Sequence, residues 1–149
     1  VLPFKTPHDA NESVGFVFRC GGSKLSILTD AGHVSERMLD AVAGSSLILI
    51  ESNHDVDMLK AGRYPYPLKK RILGDFGHLS NDACGAALTA LYGRGVRRAV
   101  LGHLSRENNF ESLALETVRG ALRASDIPDE AFALSVAHRD RVGERYQID

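Results

Sequence analysis

Acids and histidines recur in this chain where an apolar run gives way to a loop. Leu25-Ser26-Ile27-Leu28-Thr29 runs into Asp30, Leu47-Ile48-Leu49-Ile50 into Glu51, and Arg98-Ala99-Val100-Leu101-Gly102 into His103. The tetrapeptide Gly-His-Leu-Ser occurs twice, at 77–80 and 102–105, and His8 and His54 lie in polar loops after Pro7 and Ser52-Asn53. Imidazole nitrogens with carboxylates suit zinc, manganese or iron at a hydrolytic centre. A carboxylate shared by two ions lets the pair stabilise attacking and leaving oxygens together. A lone loop histidine is more often an ordinary surface or hydrogen-bonding residue. Four of them, joined by two acids at the ends of apolar runs, favour a metal site.

Rival chemistries have less support. There is no Gly-x-Ser-x-Gly elbow, no Walker loop and no Gly-x-Gly-x-x-Gly fingerprint. Nothing marks a nucleophile for a serine or cysteine triad. His33 reads as a surface residue or a support for the site, and His138 as structural. Tyr64 and Tyr66 flank Pro65 and could stack on a base, although packing against the core is the commoner role for such residues.

The elements that would position these groups alternate. Residues 14–18 and 25–29 form a hairpin through Gly21-Gly22-Ser23. Met38, Leu39 and Val42 have helical spacing over 35–43, with Gly44 as the stop. The apolar run 47–50 reads as a strand covered on both faces. Helices follow over 56–60 and 68–73, with Gly62 to Pro67 breaking the chain between them, and Ser80 is a good N-cap for a helix over 81–92. The strand before His103, a helix over about 112–124 and a short strand over 133–137 complete the chain. The class is α/β. The paired tetrapeptides do not extend into a repeat.

Composition sets bounds. The 149 residues carry a formal net charge of -1, so no global basic field gathers nucleic acid, and clusters such as Lys69-Lys70-Arg71 read singly as solvated surface. No apolar run approaches the roughly 18–20 residues that span a bilayer. Cys20 and Cys84 are 64 positions apart and are expected to be buried free thiols of a reducing, cytoplasmic compartment. The chain opens Val1-Leu2-Pro3-Phe4, without an initiator methionine or a signal segment, which reads as a fragment or a processed product.

Taken in order, several stretches resemble the metallo-β-lactamase superfamily, and within it the WalJ/YycJ group of metal-dependent nucleases, relatives of ribonuclease Z. They are Pro7-His8-Asp9-Ala10 leading to Val14-Gly15-Phe16, then Thr29-Asp30, then Glu51-Ser52-Asn53-His54-Asp55. Gly62-Arg63-Tyr64-Pro65, Gly77-His78-Leu79-Ser80-Asn81 and His103-Leu104-Ser105 with Asn108-Asn109 continue the series. The resemblance implies that His8, Asp30 and His103 are metal ligands, Asp30 bridging two ions. It implies that Glu51 and His78 form a pair that helps the leaving oxygen depart. Ser80, Asn81, Asn108 and Asn109 are the expected substrate contacts, Ser80 with the N-terminus of its helix as a phosphate site.

The superfamily's leading His-x-His-x-Asp-His loop does not occur in this sequence. The resemblance therefore implies that residues 1–149 are the C-terminal half of a single αββα sandwich, a mixed sheet flanked by helices, without the N-terminal half that bears that loop. The complete protein is expected to be a 5′-to-3′ DNA exonuclease that uses two divalent ions, zinc or manganese, and a metal-bridging hydroxide. The half alone is expected to bind metal weakly and to be inactive. The implied partners are nucleic acid and a cover for the open sheet face: the missing half, another chain, or a second copy in a homo-oligomer. Two other readings are a superfamily hydrolase of a small ester, thioester or lactam, and a non-catalytic binding or assembly module.

Overall fold

The computed structural model describes residues 1–148. Six strands form one mixed sheet in chain order. β1 (Leu2–Lys5), β2 (Val14–Cys20) and β3 (Ser23–Leu28) are antiparallel neighbours. β4 (Leu47–Glu51), β5 (Arg98–Gly102) and β6 (Ala133–Val136) continue the sheet parallel to β3. The helices are α1 (Glu36–Val42), α2 (Val56–Ala61), α3 (Tyr66–Leu73), α4 (Asn81–Gly93) and α5 (Glu111–Ala124), with a 3₁₀ turn at Asp129–Ala131. No described helix is long and apolar enough to cross a membrane.

The sheet register sorts the side chains. Val17, Leu28, Ile48, Ile50, Ala99 and Leu101 share one face and form a core with Met38 and Val42 of α1, Leu88 and Leu91 of α4, and Val118 and Leu122 of α5. Gly85 lets α5 approach α4 closely, since a Cβ there would lie 2.7 Å from that of Ala121. Phe16, Phe18, Leu25, Ile27 and Leu49 share the opposite face, where Phe16 is exposed and the other four are half-buried.

The helices begin where the sequence places caps. Ser35, Asp55 and Ser80 each accept from the amide three residues on. Gly44 follows α1 with φ of +66°, a conformation open to glycine without strain. The buried amine of Lys24 donates to the carbonyls of Ala41 and Ala43 and satisfies the free end of that helix.

Two expectations are corrected, and one strand not read from the sequence is added. Cys20 is exposed at the sheet end, and Cys84 alone is a buried thiol. Residues 2–5 pair with β2 as an edge strand, which tolerates Pro3 because one side of an edge needs no amide. α3 starts at Tyr66, because Pro67 sits in the first turn, where a missing N–H costs no helical bond.

Candidate metal centre

Because β3, β4 and β5 are parallel, their carboxyl ends open on one edge, where ligands gather in open α/β sheets. Asp30 stands just past β3, Glu51 ends β4 and His103 follows β5. His78 comes from the loop before α4, and His8 from the loop between β1 and β2. Asp30 (φ +55°) and His103 (φ +57°) are in the left-handed region, which costs about 1–2 kcal/mol for a residue with a Cβ. Strain of this kind persists where a fixed side-chain direction is worth more than backbone ease.

Glu51 is the buried pivot of the cluster. Its Oε1 accepts from Nδ1 of His78 and from Nδ1 of His103, each at 2.7 Å, and its Oε2 accepts from the Ala31 amide at 3.0 Å. Burial alone would raise this carboxyl. The bonds from His103, His78 and Ala31 outweigh burial and hold it down at about 2. The same bond to Glu51 raises His103 above its ordinary value against the effect of burial. With both Nδ1–H groups committed to Glu51, each ring keeps Nε2 as its lone-pair nitrogen.

Asp30 Oδ1 lies among three rings, 3.8 Å from His8 Nε2, 3.8 Å from His78 Nδ1 and 3.6 Å from His103 Nδ1. These separations are too long for hydrogen bonds. The His8 Nε2 separation matches ligand atoms that share an ion, since two donors about 2.1 Å from a tetrahedral zinc lie about 3.4 Å apart, while the Nδ1 distances set the His78 and His103 rings beside the same carboxylate. One ligand atom from each of Asp30, Glu51, His78 and His103 falls within 4.8 Å of the others. His8 borders this group. It donates Nδ1–H to the Gly77 carbonyl at 2.9 Å and turns Nε2 to Asp30, as a ligating histidine fixed by a second hydrogen bond does. The donor set of imidazoles and carboxylates fits zinc or manganese.

The loops are held by contacts that leave little slack. A Cβ on Gly77 would lie 2.1 Å from the Ile72 carbonyl oxygen, and one on Gly32 2.3 Å from that of Asp75, so both positions need glycine. Arg71 of α3 clamps Asp9 beside His8 with a two-pronged ion pair and keeps its carboxyl at about 2.

The four residues expected to meet substrate separate. Asn109 lines a cleft of about 1250 Å³ that also exposes His78 and His103. Asn81 is fully buried. Its Oδ1 accepts from Ser52 Oγ at 2.6 Å and from Asn109 Nδ2 at 2.9 Å, which ties the loops after β4 and β5 to α4. Asn108 is buried under Gly62, and the Ser80 hydroxyl caps α4. His54, read from the sequence as a loop histidine near the metal, is 1% exposed beneath the site, and neither ring nitrogen has a hydrogen-bond partner among the described residues. Burial lowers it to about 4. The sequence offered no sign of this burial, because Ser52 to Asp55 looks like an ordinary polar loop.

No family model matches the chain. It is 40% identical over 122 residues to the Exodeoxyribonuclease YycJ of Bacillus anthracis, covering 82% of this chain and 46% of that protein. It is also 40% identical over 124 residues to the Exodeoxyribonuclease WalJ of Streptococcus pneumoniae serotype 2, covering 83% and 46%. The chain thus spans a little under half the length of these curated relatives. Its backbone superposes on the metallo-β-lactamase fold protein YhfI from Bacillus subtilis with a TM-score of 0.59, at 15% identity, over 95% of this chain and 48% of YhfI. The chain is a metallo-β-lactamase-fold protein. Zn(2+)-bound PqqB from Methylobacterium extorquens superposes with a TM-score of 0.54, at 20% identity, over 90% of this chain and 41% of PqqB. Within the metallo-β-lactamase fold, the parallel strands β3 to β5 deliver Asp30, Glu51 and His103 to one edge.

Proposed function

We propose that this chain supplies half of a two-ion centre for a DNA phosphodiesterase, an exonuclease that degrades strands from the 5′ end. The observation that carries the reading is Asp30 Oδ1 set among His8, His78 and His103. The relatives named exodeoxyribonuclease support DNA as the substrate class. Divalent ions there would supply Lewis acidity to the phosphoryl group and acidify water at the site.

We assign Asp30, His8 and His103 as the residues that would hold the ions. Glu51 orients the His78 and His103 rings and fixes which nitrogen of each faces the cleft. His78 can then hold a proton at Nε2 and hand it to the departing oxygen, a role that suits an imidazole anchored by a carboxylate. Asn109 at the cleft wall contacts the strand, and Ser80 and the start of α4 lie close to its phosphates. The remaining ligands come from a first half of the domain. That half covers Phe16, Phe18, Leu25, Ile27 and Leu49 on the open sheet face.

The test is strand degradation by the complete polypeptide carrying this chain, with zinc or manganese, on single strands labelled at either end. The reading predicts metal-dependent loss beginning at the 5′ end, and a drop in kcat of about 10²–10⁴-fold for His78→Ala. Turnover of small esters or lactams with DNA left intact would overturn it.

A further inference from the structure

The cleft beside the metal cluster has a second wall that the chemistry described above does not use. Phe110 stands at the N-cap of α5, a place that favours Ser, Thr, Asp or Asn because their side chains accept from free helix amides. A phenyl ring cannot do this, and here it is 52% exposed at the cleft. Asn109 Oδ1 accepts from the Phe110 amide instead. Tyr64, half-buried in the turn before α3, lines the same cleft. Arg139 lines it too, its guanidinium donating to the carbonyl of Leu104, the residue after His103. Among the described residues Arg139 pairs with no carboxylate, whereas Arg106 is matched by Asp140 and His138 by Glu111.

A large exposed aromatic placed where local rules ask for a small polar residue marks a surface kept for a ligand. Two rings and an uncompensated arginine beside a phosphodiesterase centre fit an unpaired nucleotide. A ring offers its face to a base only when that base is free of a partner strand, and stacking accepts any base because each has a π face. We infer that Phe110 and Tyr64 form a stacking platform for the base next to the scissile phosphate, with Arg139 meeting the strand's backbone. The substrate is then a single-stranded or frayed end. This inference rests on the nuclease reading.

The experiment measures binding of an uncleaved phosphorothioate oligothymidylate to the complete polypeptide by fluorescence anisotropy. The same strand with abasic sites and the Phe110→Ala and Phe110→Trp variants complete the set, and thermal unfolding checks the folding of each variant. Phe110→Ala is expected to weaken binding by about 5- to 150-fold, to be rescued by Phe110→Trp, and to raise KM while kcat stays near its original value. The abasic strand is expected to bind wild type and Phe110→Ala alike. A wild type that cuts DNA while Phe110→Ala binds as well as wild type would overturn the platform alone. So would an equal loss of affinity for the intact and abasic strands. A wild type that neither binds nor cuts DNA would overturn the nuclease reading, and the platform with it.

Discussion

Asp30 and His103 stand at the ends of β3 and β5 with β4 between them, both in left-handed backbone, and Asp30 Oδ1 lies 3.6 Å from His103 Nδ1. Two strained residues facing each other across one strand reflect a geometry kept for binding rather than for stability.

That relationship predicts a trade. Glycine occupies left-handed backbone without penalty, and the Asp30 side chain makes no close hydrogen bond with a described residue. Asp30→Gly is therefore expected to leave metal-free stability unchanged or raise it by up to about 1 kcal/mol, after the entropy that glycine adds to the unfolded chain. Metal affinity should collapse. Thermal unfolding in chelator beside titration calorimetry with zinc checks both halves. A marked loss of metal-free stability would give Asp30 a structural role.

Glu51→Gln tests the pivot. An amide oxygen can still accept from the histidines, but the amide nitrogen then faces the Ala31 N–H, donor against donor. Stability should fall by about 1–3 kcal/mol. Zinc affinity should fall about 10–100-fold through ligands that have lost their orientation. Calorimetry showing wild-type affinity would remove Glu51 from the account.

Gly77→Ala would force its Cβ onto the Ile72 carbonyl and displace both His78 and the carbonyl that holds His8. The expected destabilisation is about 1–3 kcal/mol, with metal affinity reduced as well. Denaturant unfolding and calorimetry on one preparation measure the pair of effects.

His54 predicts a pH dependence. Its folded value of about 4 lies below the ordinary 6.5, so between those values the unfolded chain binds more protons and stability rises with pH. The stability at stake is about 3 kcal/mol, complete above pH 6.5 and lost as pH falls towards 4. His103, shifted upward, acts with the opposite sign: its contribution is present at low pH and fades above 6.5. Comparing urea unfolding of wild type and His54→Leu at neutral and mildly acidic pH isolates the His54 part. The variant should lack that slope. An identical slope in both would contradict the assignment.

Much of this was legible because the signals were local. Apolar runs 25–29, 47–50 and 98–102 end in Asp30, Glu51 and His103, and period-2 and 3.6 patterns placed their elements. Spacing could not show that Glu51 accepts from two histidines at once, since His78 and His103 lie in different loops that only the parallel strand order brings together. Nor could it separate His54 from His8. Both sit in polar loops, and only the packing of α4 and the Asn108 loop over residues 52–55 decides which is buried. The buried asparagine ties and the Lys24 cap escaped notice because polar side chains read as surface until their partners are known. Cys20 shows the reverse: a residue ending an apolar strand looked buried, yet it lies where the sheet meets solvent.

The most direct test of the metal assignment is anomalous diffraction from crystals of the complete polypeptide loaded with zinc or manganese. Peaks are expected within about 2.0–2.3 Å of an Asp30 carboxylate oxygen and of the nitrogens offered by His8 and His103. An ion bound elsewhere, or no ordered ion in a crystal whose protein took up metal in solution, would contradict the account.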